Sequence, residues 1–199
     1  MDGSLFLGIM WGIWIWATFL LEKGHPLRLT SAVLSLFFII AFPYQLSVGG
    51  LKLQCPLAVM LAAGYLFLAR FSGFALFYRL AGVWIVMTGY AGLLLFEMYD
   101  PVWILADRTF CYSILLFILV HLIFDSPLTG IATAVIGTAQ GEIIYSLILM
   151  KWGFSQTAGA PPYLDMIGLF LAFQCGWGMF NHCFNALSGK VGAKKEKQG

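Results

Sequence analysis

The residues able to do chemistry in this chain are few, and Glu142 stands out among them. It lies in Gly137-Thr138-Ala139-Gln140-Gly141-Glu142, inside an apolar stretch about three residues past its midpoint. A charged group at the centre of a lipid-embedded helix costs on the order of 2.5 to 3.5 kcal/mol on insertion scales, so such a carboxyl needs a partner or a purpose. Two readings are open. Glu142 is either a neutral, hydrogen-bonded packing element, or a site that takes up a proton or a cation. Gly137 and Gly141 form a G-x-x-x-G that lets a second helix approach closely, which serves either reading. Gln140 adds a further polar group on the same segment.

Gln174, Gly178, Asn181 and Asn185 follow an i, i+4, i+7, i+11 spacing that aligns them on one helical face, at a depth that brings Gln174 level with Glu142. Such a stripe either bonds neighbouring helices or lines a polar path. A second group, Glu97, Asp100, Asp107 and Arg108, gathers at the junction of two apolar segments, as an interfacial ion pair or as the rim of a polar vestibule. The cysteines Cys55, Cys111, Cys175 and Cys183 form no C-x-x-C and have no histidine at a metal spacing, so they support neither a zinc site nor a redox dithiol. There is no H-E-x-x-H, no G-x-S-x-G and no phosphate-cradling glycine loop. The expectation is a chain with no enzyme activity, no metal and no cofactor.

The elements that hold these residues follow from composition. Hydrophobic residues make up 61% of the 199 and charged residues only 10%, whereas a soluble domain carries about 25% charged. Apolar runs approach the ~20 residues needed to cross a hydrocarbon layer, and in lipid an unpaired backbone must form helices. The expected fold is all-α: a polytopic transmembrane bundle of about seven helices, at residues 4–21, 27–46, 56–69, 80–98, 103–124, 128–150 and 163–187. A basic cytoplasmic tail, 188–199, completes a single domain.

Breakers set these limits: Gly24 and Pro26, the glycine pair at 49 and 50, Asp100-Pro101, Ser126-Pro127, and the Gly, Ser and Pro-rich stretch before Tyr163. The third helix is the shortest. Orientation follows from lysine and arginine beside helix ends. With the N-terminus outside, Lys23, Arg28, Arg70, Arg79, Lys190, Lys194, Lys195 and Lys197 fall inside, eight of the eleven basic residues. Lys52, Arg108 and Lys151 fall outside. The basic tail suits anionic lipid headgroups better than nucleic acid. Expected partners are the bilayer, and other membrane proteins or a second copy.

The segment Gly89-Tyr90-Ala91-Gly92-Leu93-Leu94-Leu95-Phe96-Glu97-Met98-Tyr99-Asp100-Pro101-Val102-Trp103 resembles the YphA family of small multi-pass membrane proteins from endospore-forming Bacillus relatives, and the likeness in length and helix layout extends over the whole chain. The resemblance implies a multi-pass protein of the bacterial cytoplasmic membrane with a role in sporulation, and it transfers no catalytic residue. The leading functional expectation is envelope or spore-envelope assembly. The alternative is a small transporter or membrane substrate-binding subunit with a midplane polar site around Glu142.

Overall fold

The computed structural model describes residues 3–22, 24, 26–100, 102 and 107–196, and among these the side chains of all but 26, 27 and 185–196. Within them are seven α-helices: α1 Ser4–Ile15, α2 Pro26–Ala41, α3 Cys55–Leu68, α4 Phe74–Tyr99, α5 Arg108–Ile123, α6 Pro127–Lys151 and α7 Pro161–Glu196. Three are long and apolar enough to cross a membrane alone: Phe74–Tyr99, Pro127–Lys151 and the Pro161–Phe184 part of α7. The others are shorter and equally apolar.

α1 continues into a π-helical turn, Trp16–Leu20, before the chain reverses. The loosened carbonyls of that turn find a partner in Arg28, which donates to Ala17 O at 3.3 Å and Thr18 O at 2.8 Å. Terminal carbonyls of a helix have no partner of their own, and in lipid water cannot supply one.

Several boundaries differ from the sequence expectation. The helix predicted over 27–46 stops at Ala41, because Pro43 has no N–H to donate and restricts the residue before it. The chain then forms a β-hairpin, β1 Gln45–Val48 and β2 Leu51–Gln54, across Gly49 and Gly50 with φ of 59° and 86°. Two left-handed residues suit the two-residue hairpin turn whose twist matches the strands.

β2 also pairs in parallel with a short β3, Thr157–Ala158, matching Lys52 with Thr157 and Leu53 with Ala158. α4 begins at Phe74, six residues before the predicted start, because the non-helical stretch after α3 ends at Gly73, whose φ of 62° precedes the first helical residue. The predicted start of the fifth helix at 103 lies outside the described residues, and helix is present from Arg108. α7 continues past 187, where the sequence expectation ends the helix and begins a basic tail, through Gly189 and Gly192 and the lysines beyond them to Glu196; 197–199 lie outside the described residues.

α4 and α6 form the central pair of the bundle. α3 lies against α6, α5 against α7, and α1 against both α2 and α7. The core is dominated by Phe6, Leu57, Val86, Leu94, Leu164, Ile167 and Phe170, all nearly fully buried. Chain reversals place the hairpin, the loop before β3 and the start of α1 at one end. β2 pairs β3 there, and Asp165 in the first turns of α7 accepts from Gly3 N at 3.0 Å and Phe6 N at 2.8 Å. Those are two of the unpaired N–H groups at the start of α1, so a carboxylate from α7 caps it.

Candidate functional site

The α4–α6 contact is set by glycine. A Cβ at Gly137 would lie 2.7 Å from Val86 Cβ and 3.0 Å from Val83 O, and one at Gly141 would lie 2.9 Å from Tyr90 Cδ1 and 3.1 Å from Met87 O. The G-x-x-x-G of α6 therefore admits the α4 backbone itself. This approach carries Tyr90 to the carboxyl one residue on. Tyr90 donates its hydroxyl to Glu142 Oε1 at 2.8 Å, and Glu142 is only 4% exposed.

The second Glu142 oxygen accepts from Gly159 N–H at 3.4 Å. Gly159 is held there by its pairing neighbour Ala158 in β3 and by its own left-handed φ of 77°, which a side chain would oppose; a Cβ would also strike Leu57 at 2.7 Å. The hairpin, the loop and the carboxylate thus form one unit. The Gly159 contact ties Glu142 to this loop end of the bundle, and on α6 the carboxyl lies three residues past the helix midpoint, as its place in the sequence puts it.

Around Glu142 is a cavity of about 60 Å³, lined by Tyr90, Arg108, Tyr112, Gln156 and Tyr163 among others. The three tyrosine rings pack edge to face, Tyr90 on Tyr112 at 6.1 Å and on Tyr163 at 6.2 Å. Thr138 donates to Ala134 O at 2.8 Å, which leaves the Tyr163 hydroxyl to donate to Thr138 Oγ1 at 3.2 Å. Arg108 forms an ion pair with Glu97 at 3.0 Å, and Tyr112 donates to the same Glu97 oxygen at 2.7 Å. Ser113 ties α5 to α7 by reaching Met166 O at 2.9 Å, holding this wall in place.

The residues singled out from sequence distribute as follows. Gln140 donates to the Tyr65 hydroxyl on α3. Gln174 is buried, yet neither amide atom has a partner among the described residues. It is not brought to Glu142, because it sits thirteen residues into α7 while Glu142 is nine from the end of α6, about 6 Å less deep. Asn181 is exposed, and the Asn185 side chain lies outside those described.

Glu97 and Arg108 join as a pair. Asp100 accepts from Val102 N at 3.1 Å and Asp107 caps α5 through Thr109 N at 2.9 Å, so the four outer residues form one ion pair and two separate turns. Tyr90, Tyr163, Gln156 and Asp165 received no role from sequence. For Asp165 the available signal was a lone acid near the start of an apolar helix. Tyr90 lies 52 residues from Glu142 and carries no local signal.

A glycine-packed helix pair that holds a buried carboxylate, within seven helices of which three can cross a bilayer alone, defines a polytopic integral membrane protein. A family model described as YphA-like integral membrane protein matches residues 2–199. The chain belongs to that family. It is 25% identical over 203 residues to the protein YphA of Bacillus subtilis (strain 168), an alignment covering 99% of this chain and 96% of that one. No solved structure matches it.

Proposed function

We propose that this is a non-enzymatic membrane protein that takes up a proton or a small hydrogen-bond-donating ligand at Glu142, as a small transporter or a membrane substrate-binding subunit does. One observation carries this reading. A buried carboxylate borders a cavity, and its partners are a tyrosine hydroxyl and one backbone N–H, while the nearby guanidinium is engaged by Glu97. A carboxyl retained only for packing has no need of a cavity beside it.

In this reading the cavity end faces outward across a bacterial cytoplasmic membrane. Lys52, Arg108 and Lys151 lie at that end, and the other eight basic residues follow or precede the opposite helix ends, as the positive-inside rule requires of a cytoplasmic face. Lipid, and other membrane proteins or a second copy, are the partners this placement allows.

The test is a deletion strain complemented with wild type, Glu142→Gln or Tyr90→Phe, with membrane levels checked. The same proteins are placed in vesicles carrying a trapped pH indicator. Failure of a stably inserted Glu142→Gln in both assays is the expected result. Full rescue by Glu142→Gln makes the carboxyl a packing element.

A second reading, envelope or spore-envelope assembly, is supported by the family relation to a Bacillus protein. Normal envelope resistance and sporulation in the deletion strain would count against it.

A further inference from the structure

A second cavity, of about 150 Å³, lies between the hairpin turn and the loop that follows α6, with Lys52, Ser146, Ser155 and Gln156 in its walls. Gln156 also lines the Glu142 cavity, so the two spaces share a wall. Ser146 stands one turn beyond Glu142 on α6 and is 1% exposed. Its hydroxyl has no hydrogen-bond partner among the described residues. The contrast with its own helix is informative: Thr133 and Thr138 each donate to the carbonyl four residues back, at 2.8 Å. A buried hydroxyl left unmatched beside open space is a group awaiting a guest.

The charge of the space is also set. The β2–β3 register that matches Lys52 with Thr157 brings the lysine beside Gln156. None of the residues lining the cavity is acidic. At the C-terminal end of α6, Leu149 O accepts from the N–H groups of Trp152 and Phe154 and Met150 O from that of Gly153, so these two carbonyls already have partners. Lys52 is the one cation among the described residues that line the cavity, and the closest carboxyl on α6, Glu142, stands one turn from Ser146 and lines the neighbouring space rather than this one.

We propose that this cavity binds a small oxyanion, a carboxylate or phosphate group, between the Lys52 ammonium and the Ser146 hydroxyl. The site is distinct from Glu142, which lines the adjoining cavity, and it does not rest on the function proposed for that carboxyl. The oxyanion belongs either to a free solute or to a lipid headgroup, and the experiment separates the two.

Full-length protein with Cys55, Cys111, Cys175 and Cys183 replaced by alanine, and carrying Ser146→Cys, is reconstituted in nanodiscs of zwitterionic lipid. Its rates of modification by an anionic ethylsulfonate and a cationic trimethylammonium thiosulfonate are compared, each normalised to a free thiol. Reagents differing by two charge units near one ammonium should differ by about fivefold to tenfold at low ionic strength, the anionic one faster. Lys52→Gln should abolish the preference. Inorganic phosphate or acetate should slow modification. Protection that comes instead from phosphatidylglycerol in the disc assigns the same site to a headgroup. Equal rates, a preference that survives Lys52→Gln, or protection by none of the three would overturn the proposal. Ser155→Cys, on the exposed loop of the same cavity, carries the identical measurement if Ser146→Cys fails to insert.

Discussion

Replacing Gly137 by alanine tests the packing on which the carboxylate site depends. The added methyl would sit 2.7 Å from both Val86 Cβ and Val86 Cγ1, and 3.0 Å from Val83 O. Side-chain rotation cannot relieve this, because one clashing atom is a backbone carbonyl and another is the first atom of a β-branched side chain. α4 has to move away. Overpacking of this kind costs about 1 to 3 kcal/mol, against which the helix preference of alanine over glycine returns roughly 0.8 to 1 kcal/mol. The net expectation is a loss of about 0 to 2 kcal/mol, which is about 1 to 3 kcal/mol worse than the same substitution at a glycine with open space around it.

The chain contains its own control. Gly8 and Gly12 have the same spacing, but a Cβ at either meets nothing within 4 Å. Gly8→Ala and Gly12→Ala should be neutral or slightly stabilising. Reversible unfolding in mixed micelles with rising SDS, followed by tryptophan fluorescence, measures all three. A cycle with Tyr90→Phe adds a second readout, since displacement of α4 should weaken the Tyr90–Glu142 bond and make the two effects non-additive. If Gly137→Ala unfolds like Gly8→Ala, the close contact is absent and the account of how Tyr90 reaches Glu142 fails.

Asp165→Ala should cost about 2 to 4 kcal/mol, since it leaves the N–H groups of Gly3 and Phe6 without their carboxylate; hydrogen exchange at Phe6 should accelerate while α6 is unaffected, and uniform acceleration would contradict a local cap. Glu97→Gln should cost under about 1 kcal/mol, because its partner Arg108 is 44% exposed and screened by solvent, and a larger loss would show that the pair holds the cavity wall. A fluorescent protein fused after Gly199 should light up in the cytoplasm, while alkaline phosphatase inserted in the 152–160 loop should be active; the opposite pattern would invert the orientation.

What could be read in the sequence was what carries an energetic cost on its own helix. Glu142 and the G-x-x-x-G before it are legible because a carboxyl and a bare stretch of backbone are both conspicuous in an apolar helix. Their consequence, Tyr90, is not, since which face of α4 turns inward is decided by packing across 52 residues. Gln174 was placed beside Glu142 by spacing along a single helix, and spacing cannot say where two helices cross. In the hairpin, Leu46 and Val48 alternate on one side of Gly49-Gly50 and Leu51 and Leu53 on the other, a strand signal hidden by the surrounding hydrophobicity. The overall helical, membrane-embedded character came from composition, which packing cannot overrule.

The short helices have a consequence for the membrane itself. α3 has 14 residues and α2 and α5 have 16 each, lengths of roughly 21 to 24 Å against a hydrocarbon layer of about 30 Å. Beside the long α4, α6 and α7, these elements leave the bilayer with two thicknesses to match around one protein. Acyl chains must compress along the flanks formed by the short elements and relax along the long ones, a deformation that costs fractions of a kcal/mol per ångström. Lipid whose acyl chains are short or disordered meets the shorter elements at a smaller cost of compression.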